Sequence, residues 1–257
     1  MNKINKLAIL SLLLMLSNLA VAYVEGEEIN VGAKKSITLK FRDPNKPHSA
    51  ANYIDTANSL IGGGYASSIH EILGHAVKFV PVNYLNGDEI RVLEKVDTLG
   101  VGPKFYGAWL TEKDGKLYAA MEMEKLTGEP LSKMIPWHLE SDKALLKLQD
   151  IFKDRVDGKT YFFDRLFAML KILADNKISY PDTHYGNMIY PISNDMKLVD
   201  FGESELHNTA QAAATRTLEA EYVKRLIRMF EDPFMEGNRG KTAVKDLAGL
   251  RALSAGQ

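Results

Sequence analysis

Cysteine is absent from all 257 residues. No disulfide can staple this chain, and an oxidising compartment has no thiol to misoxidise. An excess of charge of one sign is missing too: 32 Lys and Arg stand against 33 Asp and Glu, a formal net charge of −1. That excludes the general basic field expected of a protein that grips nucleic acid. Beyond the first residues there is no apolar run of membrane-spanning length, which takes roughly 20 residues. Low-complexity tracts and internal repeats are also lacking. What remains is ordinary for a folded globular protein: 46% hydrophobic and 25% charged residues, in a length that suits one domain or two small lobes.

The amino terminus is distinctive. Lys3 and Lys6 precede an apolar run from Leu7 to about Leu16, followed by Ala20-Val21-Ala22. A basic start, a short apolar core and a small-x-small site predict a cleaved secretory signal peptide over residues 1–22, with an uncleaved anchor as the alternative. After cleavage no stable membrane span is expected. Residues 23–57 read as an extension before the main fold. In it, Ile37 to Phe41 alternates like a half-buried strand and the stretch 43–49 is rich in breakers.

The segment Tyr180 to Gly202 carries the densest chemistry. Asp182 is followed five residues later by Asn187, and Asp200-Phe201-Gly202 begins thirteen residues beyond the Asn. Two carboxylates and a carboxamide at this spacing suit work on a magnesium nucleotide. One carboxylate orients an attacking hydroxyl; the amide and the other carboxylate hold Mg2+ against phosphate charge. The apolar stretches Met188-Ile189-Tyr190 and Lys197-Leu198-Val199 predict a hairpin that brings Asn187 and Asp200 together.

This pattern resembles the catalytic loop and Asp-Phe-Gly segment of the protein-kinase-like superfamily. The resemblance covers about residues 58 to 230 and implies an α+β, two-lobed fold. A small β-rich N-lobe would span residues 58–126 and a reduced helical C-lobe 127–235, with a tail over 236–257. It also implies ATP and Mg2+ as cofactors.

Upstream segments fit the same frame. Gly62-Gly63-Gly64, with Ser67 where the family's last glycine falls, resembles the loop that covers the phosphates; a plain flexible turn is the alternative. Lys78 lies in the apolar strand Ala76 to Val80, where a buried lysine needs an anion, unless the strand is an edge facing solvent. The family implies that Lys78 contacts phosphates and pairs with a helical glutamate. Glu89 fits best, because Val92, Leu93 and Val96 then form an apolar face, and Glu94 is its rival. Glu122, Met123 and Glu124 resemble the hinge whose backbone bonds adenine. Asp182 would be the catalytic carboxylate, with His184 either assisting near the transferred phosphate or serving as a loop histidine bonded to backbone.

Some features depart from the family. Tyr180 and Pro181 stand where many protein kinases have His and Arg, and only five residues separate Gly202 from Asn208. The activation segment is therefore expected to be missing, as in minimal kinases that bacteria deliver into host cells. His184 at Asp+2 also resembles small-molecule kinases of the aminoglycoside type. Three readings stay open: an exported kinase acting on a host protein, a small-molecule kinase, and a pseudokinase or AMP-transferring enzyme. A reduced C-lobe also leaves a place for an activating partner.

One competing motif is set aside on geometry. His70-Glu71-Ile72-Leu73-Gly74-His75 approximates a zinc-protease helix, but its histidines are five apart. On a helix they would point about 140° apart. Residues 70–72 are expected to be strand, with a turn before the strand of Lys78.

Helical pattern dominates from Ser132. Phe163, Leu166, Phe167, Leu170 and Leu173 share one face, and residues 208–230 read as one long amphipathic helix ended by Asp232-Pro233. The tail frays or forms one more helix on Val244, Leu247, Leu250 and Leu253.

Overall fold

The computed structural model describes residues 28–40, 60–64, 67–113, 115–136, 143–144, 146–148, 161–191, 196–233 and 240–257. The expected signal peptide 1–22, the breaker-rich stretch 43–49 and most of the 137–160 segment lie outside the described residues. The fold is mixed α+β. Among the described residues no helix is long and apolar enough to cross a membrane.

A five-stranded antiparallel sheet opens the main fold. It contains β3 (Leu60–Gly64), β4 (Ser67–Ile72), β5 (His75–Pro81), β6 (Phe105–Lys113) and β7 (Lys116–Glu124), in the order β3-β4-β5-β7-β6. β4 and β5 join through Leu73 and Gly74, both at positive φ (50° and 86°). Two residues of this hand match the twist of a hairpin. His70 and His75 thus sit on adjacent strands, as expected, and not on one helix face. Between β5 and β6 the chain forms α1 (Gly87–Leu99), capped by Asn86 at its start and closed by Gly100 in the left-handed region at φ 67°. Ile90, Val92, Leu93 and Val96 turn inward and are at most 2% exposed.

The pleat divides the sheet into two faces. Val80, Leu110, Ala119 and Met121 join the main core together with α1. Val77, Phe79 and Ala120 form a smaller cluster on the other side, under Trp109 and Tyr118.

The carboxy-terminal half is mostly helical. After β8 (Gly128–Pro130) and the single turn α2 (Leu131–Met134) come α3 (Tyr161–Asp175), β9 (Ile178–Ser179), β10 (Met188–Pro191), β11 (Lys197–Leu198) and β12 (Glu205–Leu206). The expected hairpin forms, with Met188 opposite Leu198 and Ile189 opposite Lys197. β10 also pairs with β8, and β12 with β9. The apolar face read for α3 is buried: Phe163, Leu166, Phe167, Leu170 and Leu173 are each at most 2% exposed.

Three expectations are corrected or decided here. The span 208–230 is not one helix: α4 (Ala210–Glu219) and α5 (Glu221–Glu231) are separated by Ala220, whose backbone is extended at ψ 136°. The break lets α4 lie against β9 and α3 while Phe230 of α5 packs on the Phe163 and Phe167 rings, each with centroids 5.1 Å away. Second, of the two outcomes left open for the tail it is not fraying but the helix that holds: α6 (Lys241–Ser254) forms and buries Ala243, Leu247 and Leu250 against the rest of the core, although Val244 stays exposed. Third, residues 23–57 do not all precede the fold. β1 (Glu28–Val31) and β2 (Ile37–Lys40) form a hairpin whose Val31 and Leu39 are core residues.

Candidate active site

Lys78 is the centre of the site. It lies on β5, an interior strand bonded to β4 and β7, and it is only 6% exposed. The edge-strand alternative is thereby excluded. Its Nζ donates to Glu89 Oε1 at 2.6 Å and to Asp200 Oδ1 at 2.8 Å. Glu89, in the first turn of α1, is 4% exposed. Glu89 is therefore the partner, as read from the sequence, and Glu94 is not. The short lysine-to-glutamate interval is accommodated because Tyr84 to Asn86 lead directly from the strand into the helix.

One ammonium faces two carboxylates. Burial works against the Lys78 cation, but the charges of Glu89 and Asp200 more than offset it and raise its pKa above the ordinary lysine value. Burial pushes the Glu89 carboxyl up; Lys78 opposes the shift without cancelling it, being shared with Asp200. Burial also acts upward on Asp200, yet Lys78 and the Gly202 N–H reverse the shift and lower its pKa. One buried cation is thus shared between two carboxylates whose pKa values are pushed in opposite directions, Glu89 upward and Asp200 downward.

Asp200 has a positive φ of 55°, uncommon for a residue with a side chain. Phe201 fixes that turn. It is 1% exposed, and its ring lies so near Gly102 that a Cβ there would stand 3.1 Å from it. Tyr180 packs on the same ring at 5.1 Å and donates its hydroxyl to Val199 O at 2.5 Å.

The Asp182 loop is anchored from several sides. Tyr180 N–H donates to Thr217 Oγ1 of α4 at 3.0 Å, and Thr183 Oγ1 donates to Tyr180 O at 2.8 Å. Asn187 closes the loop, its Nδ2 donating to Asp182 O at 3.0 Å and to Asp182 Oδ2 at 2.8 Å. Val199 N–H donates to Asn187 O at 2.9 Å, which ties the loop to the residue before Asp200. His184 is bonded to backbone and also lies beside Asp182. Its Nδ1 accepts the Gly186 N–H at 2.9 Å, while its Nε2 stands 3.6 Å from Asp182 Oδ2.

Gly62, Ile69 and Lys78 stand in one row across β3, β4 and β5. Gly63 is required sterically, since a Cβ there would meet Ser67 O at 2.7 Å. Gly64 and Ser67 end the described part of this hairpin; residues 65 and 66 lie outside it.

At the expected hinge, Glu122 and Met123 lie within ladders to both β5 and β6, and Glu124 N–H donates to Lys104 O at 2.9 Å as the ladder to β6 ends. The Glu122 carboxylate bonds His75 on the face away from Lys78.

Chemically, the centre offers a carboxylate beside a loop amide, a buried cation and a half-exposed second carboxylate. With Asn187 Nδ2 spent on Asp182, its Oδ1 and the Asp200 carboxylate are hard oxygen donors of the type that suits Mg2+. No cluster of three or more His, Cys, Asp or Glu suited to a metal occurs among the described residues. A cation here would complete its shell with water and phosphate oxygens, which Mg2+ favours.

Beside the loop lies a cleft of about 450 Å3, lined by Ser132, His184, Tyr185, Tyr222, Arg225 and Leu226 among others. It was not legible in the sequence, since it joins α2, the loop and α5 across distant positions. No protein-family model and no curated protein matches this sequence.

Proposed function

We propose that the chain is a phosphotransferase with a two-lobed, protein-kinase-like arrangement, moving the terminal phosphate of ATP to a hydroxyl. The observation that carries this reading is the cluster of Lys78, Glu89 and Asp200, three residues from separate segments, beside the Asp182–Asn187 contact. The five-stranded sheet, with a helix after the strand of Lys78, adds support, because the resemblance implies a β-rich smaller lobe and a glutamate on the helix that follows the lysine.

In this reading Lys78 grips the α- and β-phosphates and Glu89 fixes it. Asn187 and Asp200 would hold Mg2+, which neutralises phosphate charge when bound. Gly62 to Ser67 cover the phosphates. Asp182 orients the acceptor hydroxyl and takes its proton. The acceptor oxygen forms a bond to the γ-phosphorus, the bond to the bridging oxygen breaks, and ADP leaves with that electron pair.

The acceptor proposed is a protein. Residues 1–22 are expected to direct export, and ATP is scarce outside the cytoplasm, so the proposal includes delivery into a host cell and an acceptor protein there. A second reading, a small-molecule acceptor, is favoured by the 450 Å3 cleft beside His184, a volume typical of ligand pockets.

The test uses residues 23–257 with γ-labelled ATP, Mg2+ and a eukaryotic lysate, beside Asp200→Ala. Label on a discrete protein band, lost in the variant, supports the proposal. Label on no protein, with ATP consumed only when small hydroxyl compounds are added, favours the second reading. No ATP turnover in any mixture overturns both.

A further inference from the structure

The Lys78–Glu89 contact holds only while α1 keeps its first turn over the sheet. Several groups at that turn come from far away in the chain. Asp88, the residue before Glu89, is 1% exposed, and its Oδ2 receives the Lys35 ammonium from the turn between β1 and β2. The same oxygen accepts Leu206 N–H of β12 at 3.0 Å, and Lys35 Nζ reaches Leu206 O at 3.4 Å. Asn86 caps α1 through its oxygen while its Nδ2 donates to Gly202 O at 3.2 Å and Ser204 O at 3.1 Å. The backbone of the hairpin touches here as well. Ala33 N–H donates to Leu85 O at 2.8 Å, and a Cβ on Gly87 would lie 1.9 Å from Lys35 O. Arg91 of α1 donates back to Ser36 O at 3.3 Å.

These contacts meet at one junction of three elements: the β1–β2 hairpin, the start of α1, and the short chain that follows Asp200. From Leu206 the junction continues to Ile178, its partner in β9, four residues before Asp182. We infer that the β1–β2 hairpin is a built-in brace and that Lys35 is a positioning residue: through Asp88 it fixes α1, hence Glu89 against Lys78, and through Leu206 it fixes the segment after Asp200. A lysine is suited to this place because the nearly sealed Asp88 carboxylate requires a cation, while the lysine stem spans from the hairpin turn.

The catalytic consequence rests on the phosphotransferase reading; the brace itself does not. The test is hydrogen exchange by mass spectrometry on residues 23–257 of the wild type, Lys35→Ala and Lys35→Arg, alongside ATP turnover. Lys35→Ala is expected to speed exchange of α1 and of Leu206 by at least about tenfold, with α3 and α6 unchanged. Turnover should fall in kcat more than in the KM for the acceptor, and Lys35→Arg should restore both readouts in part. Unchanged exchange at α1, or acceleration spread equally into α3, overturns the brace. A wild type without turnover that still shows the local exchange pattern refutes the phosphotransferase reading and leaves the brace standing.

Discussion

Replacing Lys78 by methionine tests the central cluster through stability alone. The side chain keeps most of its length, ending one atom short, and loses its charge. Glu89, 4% exposed, is left without the cation it bonds at 2.6 Å, and Asp200 loses its 2.8 Å partner. Removing one member of a buried ion pair costs about 3–5 kcal/mol. Asp200 is more exposed and recovers hydration, so most of that loss resides at Glu89. Burial already raises the Glu89 pKa with Lys78 present, and it rises further without it. A carboxyl whose folded pKa lies above its unfolded value near about 4.3 binds the extra proton in the folded state. Its penalty is absent below that value and grows as pH rises, by at most about 1.4 kcal/mol per pH unit, until the folded pKa is passed. Lys78→Met should therefore be close to wild type at pH 4.5 and lose about 3–4 kcal/mol at pH 7.5, within what three pH units allow. Adding Glu89→Gln should recover most of the pH 7.5 loss, since no buried charge is then left unpaired. Urea unfolding followed by circular dichroism at both pH values measures this. An equal deficit at the two pH values, or no recovery in the double variant, would refute the charge reasoning.

Two further outcomes follow from the described contacts. Asn187→Ala removes both donors to Asp182, so Asp182 loses its fixed orientation; kcat/KM for phosphate transfer should fall by about 10²-fold while the melting curve shifts little. Phe167→Ala opens a cavity under Phe163 and Phe230 and should cost about 3–5 kcal/mol in chemical denaturation; a cost under about 1 kcal/mol would mean that the ring cluster repacks.

The sequence made some of these parts legible because they depend on local rules. The hairpin after Asn187 needs only two apolar stretches and a connection, and it forms, with Met188 opposite Leu198. Glu89 was identified by helical periodicity, which also buries Val92 and Val96. What stayed hidden depends on distant partners. Ala220 is a residue that favours helix, so nothing local signals its extended backbone; the break serves packing of Phe230 on α3. Gly87 reads as an ordinary helix start until Lys35 O is found where its Cβ would lie. The strand 37–40 showed alternation but not its destination, because four residues carry no record of which face they cover.

The central lysine joins partners at very different separations, 11 residues to Glu89 and 122 to Asp200. A chain still being synthesised can form the near pair but not the far one. The same holds for a fragment clipped between the two acids. Completion of the cluster thus coincides with completion of nearly the whole fold, because Asp200 arrives only after α3 and the loop of Asp182. Products terminated before Asp200 carry the lysine without its second carboxylate, and so never assemble the three-group cluster.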